Sequence, residues 1–162
     1  MAEPSKTEPG DVPALGDILD FMRLLWAVDH GLHSTSKRMN TSIGVTGPQR
    51  LVLRMTGKFP GISAGELAQI LHVHKSSLTG VLQRLEARGL LKRSADPEDG
   101  RRAIFSLTAK GKEFDAVRAG TVEQAIRKVL GRVPKEQIEV TREVLQAVAA
   151  ALAAVSQPAS KR

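Results

Sequence analysis

The sequence predicts a mainly α-helical fold that carries one small β-hairpin. Three observations lead there. Apolar residues recur at three- and four-residue spacing along most of the chain. Two capping-box patterns, Thr46-Gly47-Pro48-Gln49 and Ser63-Ala64-Gly65-Glu66, mark helix starts in its middle. Two short extended runs, Leu90-Leu91-Lys92-Arg93 and Ala103-Ile104-Phe105-Ser106-Leu107, flank the charged turn Asp96-Pro97-Glu98-Asp99-Gly100.

Taken in order, residues 1–13 hold Pro4, Pro9 and Pro13 with few apolar side chains, and are expected to form a mobile arm. A long amphipathic helix follows, from Ala14 to about Met39, with Leu15, Ile18, Leu19, Met22, Leu25, Trp26 and Leu32 on its apolar face. Residues 40–47, with two glycines, form a loop. The first capping box opens a helix bearing Leu51, Val52, Met55 and Phe59, which Pro60-Gly61 closes. The second opens a short helix with Leu67, Ala68, Ile70 and Leu71. After a tight break at 72–74, another helix runs from Lys75 to Arg88 and stops at Gly89, placed as a C′ residue. Beyond the hairpin, Thr108 caps a helix expected to continue to about Leu130. A last helix ends near Val155. The resulting division is an arm (1–13), an N-terminal helix (14–45), a central unit (46–110), C-terminal helices (111–156) and a tail (157–162).

Composition removes several classes of function. The 162 residues carry a formal charge of +7, and 41% are hydrophobic, enough for a packed core. With no cysteine, disulfide scaffolds, thiolate zinc sites and thiol redox chemistry are excluded. Aromatics are 3% of the chain, too few for a stacking platform for single-stranded nucleic acid. No apolar h-region begins the chain and no run is long enough to span a bilayer, so a cytoplasmic protein with no membrane partner is expected. The basic excess favours a polyanionic partner.

The segment from Ala64 to Gln83 supplies the sharper signal. Two helices crossing steeply around a small core need apolar residues at fixed offsets and a small residue at their closest approach. Leu67, Leu71, Val73, Leu78 and Val81 occupy the offsets, and Ala68 the contact position. His72 stands at the turn, where glycine is commonest; histidine tolerates the left-handed region at modest cost. On the second helix Leu78, Val81, Leu82 and Leu85 form a buried stripe. Ser76, Gly80, Gln83 and Ala87 point the other way, flanked by Ser77, Thr79 and Arg84. That face is small, polar and uncharged at its centre, which suits close approach to a groove floor, and glutamine can pair bidentately with adenine. A purely solvated helix usually carries Glu and Lys there. Arg93, Arg101 and Arg102 surround the hairpin tip, with Lys92 adjacent, and guanidinium on a thin loop suits a narrow minor groove. Asp96 and Asp99 are expected to orient these arginines by bidentate pairing.

A helix-turn-helix followed by a basic hairpin is a winged helix. Here the sequence resembles the MarR family of bacterial transcription regulators. Asp96-Pro97-Glu98-Asp99-Gly100-Arg101 and Leu107-Thr108-Ala109-Lys110-Gly111 match the family's wing signature, D-x-R-D-x-R followed by L-T-x-x-G, except that Glu98 replaces an arginine. Leu67-Ala68-Gln69-Ile70-Leu71 and Leu85-Glu86-Ala87-Arg88-Gly89-Leu90-Leu91 also look like the family. The resemblance implies a winged helix-turn-helix domain between N- and C-terminal dimerisation helices, and a repressor of transcription that needs no cofactor. Double-stranded DNA would be contacted by His74, Lys75, Ser76, Ser77, Thr79, Gln83, Arg84, Arg93, Arg101 and Arg102. Ser76, Ser77, Thr79 and Gln83 would read bases, whereas His74, Lys75 and Arg84 would hold phosphate.

The terminal helices make independent sense as a dimerisation module. Ile138, Leu145, Val148, Leu152 and Val155 follow an a/d seam, and Leu15, Ile18, Leu19 and Met22 give the first helix more apolar surface than a small domain can cover. A twofold dimer predicts a pseudo-palindromic operator with half-sites about one helical turn apart. The resemblance further implies a small aromatic or anionic effector. Trp26, His30, His33, Arg50 and Met55 are its candidate neighbours, although Trp26 and Met55 also fit as ordinary core. No metal site is expected, since His30 and His33 lack a matching cluster of ligands. The alternative is a winged-helix module that binds protein and not DNA; it calls for an apolar or acidic recognition face. An enzyme finds no support, because HExxH, GxGxxG, P-loop and GxSxG patterns are all missing.

Overall fold

A computed structural model describes residues 15–156. The expected arm (1–13) and tail (157–162) lie outside the described residues. Helix α1, Gly16–Ser42, runs one turn beyond the expected Met39. The carbonyl of Met39 accepts from the N–H groups of both Ile43 (2.8 Å) and Gly44 (3.0 Å), so the coil unwinds only there. Helix α2, Gly47–Lys58, opens with the expected reciprocal cap: Thr46 Oγ1 accepts from Gln49 N–H, and Gln49 Oε1 from Thr46 N–H. Strand β1, Ile62–Ser63, leads directly into α3, Ala64–Ile70, where Ser63 and Glu66 form the second capping box. Helix α4 is Lys75–Ala87, followed by β2, Leu91–Ala95, and β3, Ala103–Leu107.

The sheet is antiparallel with order β1-β3-β2. Strand β1 was not expected. Two residues cannot display an alternating pattern, and only the pairing of Ile62 with Phe105 and of Ser63 with Ile104 defines it. The core holds Val52, Leu53, Leu67, Leu78, Leu85 and Leu90, together with Ile62 and Phe105 from the sheet. Val73, expected inside, is 44% exposed, since it follows the left-handed turn at His72.

The T-x-x-G run after β3 is a packing requirement. Thr108 Oγ1 accepts from Gly111 N–H (2.9 Å) and donates to the Gly89 carbonyl (2.6 Å). This draws the start of α5, Ala109–Ala116, onto the end of α4. A Cβ on Gly111 would lie 2.0 Å from the Leu90 carbonyl oxygen, so no larger residue fits without backbone movement.

The helix expected from Thr108 to Leu130 is broken. It ends at Ala116, and α6, Val122–Leu130, restarts behind a Thr121 cap. Val117 is extended (φ −59°, ψ 133°) and Gly120 is left-handed (φ 72°). The break frees carbonyls that need donors, and α2 supplies them. Arg50 is 1% exposed and donates to the carbonyls of Phe114, Asp115 (3.3 Å) and Val117 (2.6 Å). Its Nε donates to Glu123 Oε1 at 2.7 Å, and Arg54 pairs with Asp115 at 2.8 Å. Arg50, taken from sequence as an effector candidate, is thus engaged inside the molecule. Nothing local in the sequence announces a donor more than sixty residues away.

The last helix, α7, is Lys135–Ser156. Neither α6 nor α7 has a buried residue, and α1 has one, Met39.

Two expectations follow. Gly111→Ala should cost about 3 kcal/mol by overpacking against backbone, measured by urea denaturation at fixed protein concentration. Gly100→Ala is the control, as its Cβ meets nothing within 4 Å. The second concerns acid. Burial raises the Glu123 pKa, but the Arg50 hydrogen bond, helped by its own backbone and by the charges of Arg50 and Arg54, outweighs it and leaves the group below its ordinary value. A folded pKa below the unfolded one contributes stability above the unfolded pKa, and that contribution is lost as pH falls through the folded value. The acid limb of a stability–pH profile should therefore be shallower in Glu123→Gln than in the parent.

Candidate nucleic-acid interface

Helix α4 is held from behind. Leu78, Leu82 and Leu85 of α4 are buried and Val81 is half-buried. Its entry turn is set by His72, the one non-glycine residue with positive φ (52°) among the described residues. Val73 N–H donates to the Ala68 carbonyl at 3.1 Å, so the two helices meet at the small residue. His74 is the N-cap residue, but its imidazole makes no capping bond and stays exposed.

The opposite face is open. Lys75, Ser76, Ser77, Thr79, Gln83 and Arg84 are all exposed. Thr79 donates its hydroxyl proton to the Lys75 carbonyl (3.0 Å), which leaves lone pairs and a methyl group for an incoming partner. The Arg84 guanidinium lies over Gly80, with Nη2 3.7 Å from where a Cβ would stand. That is ordinary contact with the end of a flexible side chain. Nothing inside the protein requires glycine there.

The wing is β2, β3 and the turn between them. Asp96 N–H donates to the Arg102 carbonyl (2.9 Å), and Arg102 N–H to the Asp99 carbonyl (2.8 Å). The two aspartates do not pair with arginine in the bidentate manner expected. Asp96 Oδ1 accepts from Glu98 N–H and Asp99 Oδ1 from Arg101 N–H, each two residues on. They shape the turn locally. Glu98 needs no side-chain partner in this arrangement.

Both elements face one cleft of about 560 Å³. Lys75, Thr79 and Gln83 line it from α4, and Arg93, Arg101 and Arg102 from the wing. Among the described residues Lys75, Arg84, Arg93 and Arg101 make no ion pair, so their charge faces outward uncompensated. Arg102 differs: Glu66, Asp96 and Ser63 all approach it. Glu66 also lines the cleft, a place that sequence reasoning did not give it. The Ser63 hydroxyl and N–H hold its carboxyl below the usual value, against slight desolvation and with help from Arg102.

The other predicted sites are placed differently. Trp26, His30 and His33 are exposed on α1, and His33 Nδ1 lies 2.9 Å from the Asp29 carbonyl. Met55 packs partly buried against the core. None of these, nor Arg50, lines the wing cleft or a second cleft of about 710 Å³ between the end of α1 and the start of α6. Lys37, Arg38 and Lys128 border that second cleft, and no sequence motif marked it. No group of three or more metal-ligating side chains is clustered among the described residues. Of the dimerisation set, Ile18, Leu19, Met22, Leu145, Leu152 and Val155 are exposed, while Leu15, Ile138 and Val148 are half-buried.

This arrangement defines a winged helix-turn-helix protein with an outward-facing basic cleft. A MarR family model matches residues 43–102. The HTH-type transcriptional repressor Rv2887 of Mycobacterium tuberculosis is 30% identical over 123 residues, which cover 76% of this chain and 88% of that protein. The crystal structure of the PcaV regulator of Streptomyces coelicolor, solved with its natural ligand, has a TM-score of 0.64 at 25% identity, covering 88% of this chain and 99% of that one. The regulator SlyA shares the fold, with a TM-score of 0.69 at 20% identity over 85% of this chain and 99% of its own. The chain belongs to the MarR family and is a transcriptional regulator. No helix among the described residues is long and apolar enough to cross a membrane.

One consequence tests α4 by itself. Gly80→Ala should stabilise the fold by about 1 kcal/mol, the difference in helix propensity, seen as a higher urea midpoint. A lower midpoint would mean that the fold needs this glycine.

Proposed function

We propose that the chain is a cytoplasmic repressor that binds a pseudo-palindromic operator as a homodimer. One observation carries this reading: Lys75, Thr79 and Gln83 of the reading helix and Arg93 and Arg101 of the wing line a single open cleft. Gln83, Thr79, Ser76 and Ser77 read base edges in the major groove. Lys75, Arg84 and His74 hold phosphate on either side. Arg93 and Arg101 enter the neighbouring minor groove. Once the Arg84 guanidinium swings from above Gly80 to a phosphate, the absence of a side chain at Gly80 lets the helix backbone approach the groove floor. The alternative, a protein-binding winged helix, calls for an apolar or acidic face, and this one is neither.

The homodimer follows from surface that the chain leaves uncovered. Ile18, Leu19 and Trp26 of α1, Ile126 and Val129 of α6, and Leu145, Leu152 and Val155 of α7 are between 46% and 85% exposed. Apolar area of that extent, on helices with almost no burial of their own, calls for a symmetry mate. Release from DNA by a small aromatic or anionic effector is part of the same proposal. PcaV holds a natural ligand, and Trp26, His30, His33 and Met55 are the residues proposed to approach one here.

The test is selection of bound fragments from the source genome, then titration of the selected duplex against salt. Binding should fall steeply, with Arg101→Ala reducing the slope of log K against log salt by about 1 while the dimer persists in analytical ultracentrifugation. Absence of binding at low salt, or a monomer throughout, would remove the proposal.

A further inference from the structure

The adjacent wing arginines, Arg101 and Arg102, stand in different surroundings. Arg101 has no ion-pair partner among the described residues. Arg102 is approached by acceptors from three parts of the chain. Its Nη2 lies 3.3 Å from Ser63 Oγ and 3.5 Å from Glu66 Oε2, and its Nε lies 3.7 Å from Asp96 Oδ2. Ser63 is the N-cap of α3, Glu66 belongs to its first turn, and Asp96 opens the wing turn. Ser63 is 7% exposed, and the Asp96 side chain 15%. One guanidinium therefore ties the wing to the helix against which the reading helix is packed.

We propose that Arg102 is a positioning residue, a latch that holds the wing at a set angle to α4, and that Glu66 is its keeper on α3. The inference rests on the DNA-binding reading above but divides the wing's arginines by role. Arg101 meets DNA with its full charge. Arg102 is already offset by two carboxylates, so its transfer to phosphate would leave Glu66 and Asp96 unpaired beside a polyanion. A latched wing has less freedom to lose when it binds, and affinity rises accordingly. The geometry also accounts for one of the two carboxylates, Glu66 and Glu86, that line the cleft. Glu66 there repels phosphate unless its charge is taken up by Arg102.

The two roles predict opposite signs for one substitution. Glu66→Gln keeps the capping box, since glutamine serves as well as glutamate at that position, and removes a negative charge from the DNA face. Simple electrostatics predicts tighter binding. The latch predicts weaker binding, by about tenfold if about 1.4 kcal/mol of wing ordering must then be supplied on association. Full-length Glu66→Gln, Arg102→Ala and Arg101→Ala would be titrated against the selected duplex across a salt series, and amide hydrogen exchange of residues 95–103 followed in each free protein. Expected are weaker binding and faster wing exchange for both Glu66→Gln and Arg102→Ala, with the salt slope of Arg102→Ala close to the parent's. Arg101→Ala should lower the slope and leave exchange unchanged. Tighter binding by Glu66→Gln would overturn the latch. So would a slope loss of about 1 in Arg102→Ala with unaltered exchange, which would make Arg102 a phosphate contact. The exchange arm needs no DNA. Should the parent bind no duplex, faster wing exchange in the two latch variants would uphold the latch while the DNA-binding reading fell, and unchanged exchange would reject the latch as well.

Discussion

Arg50 joins two parts of the molecule that otherwise share little. The core lies between Val45 and Phe105, whereas no residue of α6 or α7 is fully buried in its own chain. Between them stands the break after α5, where carbonyls have lost their helical donors. A guanidinium has five N–H groups in a rigid fork and no acceptor, so one side chain can satisfy several carbonyls and a carboxylate together. Arg50 does this from α2, the helix that also carries Val52 and Leu53 into the core. A lysine could not span the same set. The joint fixes α6 to α2 and α5, and Arg54 with Asp115 reinforces it from the partly exposed side.

In the proposed homodimer the two copies of α4 must stand at a fixed spacing, because half-sites recur with the helical repeat of DNA. On that proposal spacing belongs to the dimer and not to the winged domain, and every degree of freedom between α4 and the proposed seam enters operator affinity. The chain removes them in series. Thr108 and Gly111 bring α5 against the end of α4 with no room for a side chain, and Arg50 then ties α5, through the break, to α6. The joint is polar and lies beside a turn with a left-handed glycine, whereas the domain core is apolar and closely packed.

What the sequence disclosed, and what it withheld, follows from the range of the interactions. Caps are local, and both capping boxes were legible with their partners. The left-handed turn at His72, the buried stripe of α4 and the hairpin were equally local. The MarR-type wing motif was readable too, although the reason for its T-x-x-G glycine, contact with the Leu90 carbonyl, was not. Three features stayed hidden. Strand β1 is two residues long and exists only through its partner. The break at Val117 is stabilised by an arginine from α2. The surroundings of Arg102 depend on β1 pairing with β3, which carries Ser63 and Glu66 to the foot of the wing. In each case the deciding contact is remote in sequence, and no local periodicity encodes it.

The charges on the binding face show the same division between local rule and remote contact. Counted by sequence, the wing is three arginines and three carboxylates between residues 93 and 102, close to neutral and a poor anchor for a polyanion. Folding separates them by task. Asp96 and Asp99 each give one carboxylate oxygen to a backbone N–H of their own turn. Asp96 and Glu66 face Arg102, while Arg93 and Arg101 keep their charge for the outside. The cleft is lined by Lys75, Arg93, Arg101 and Arg102 against Glu66 and Glu86, so its lining carries a basic excess that the near-neutral loop alone does not. Asp96 and Asp99 are matched to donors of their own turn and Asp96 also to Arg102, whereas the Glu98 side chain has no such partner among the described residues, and the matching of Asp96 to Arg102 is a three-dimensional property.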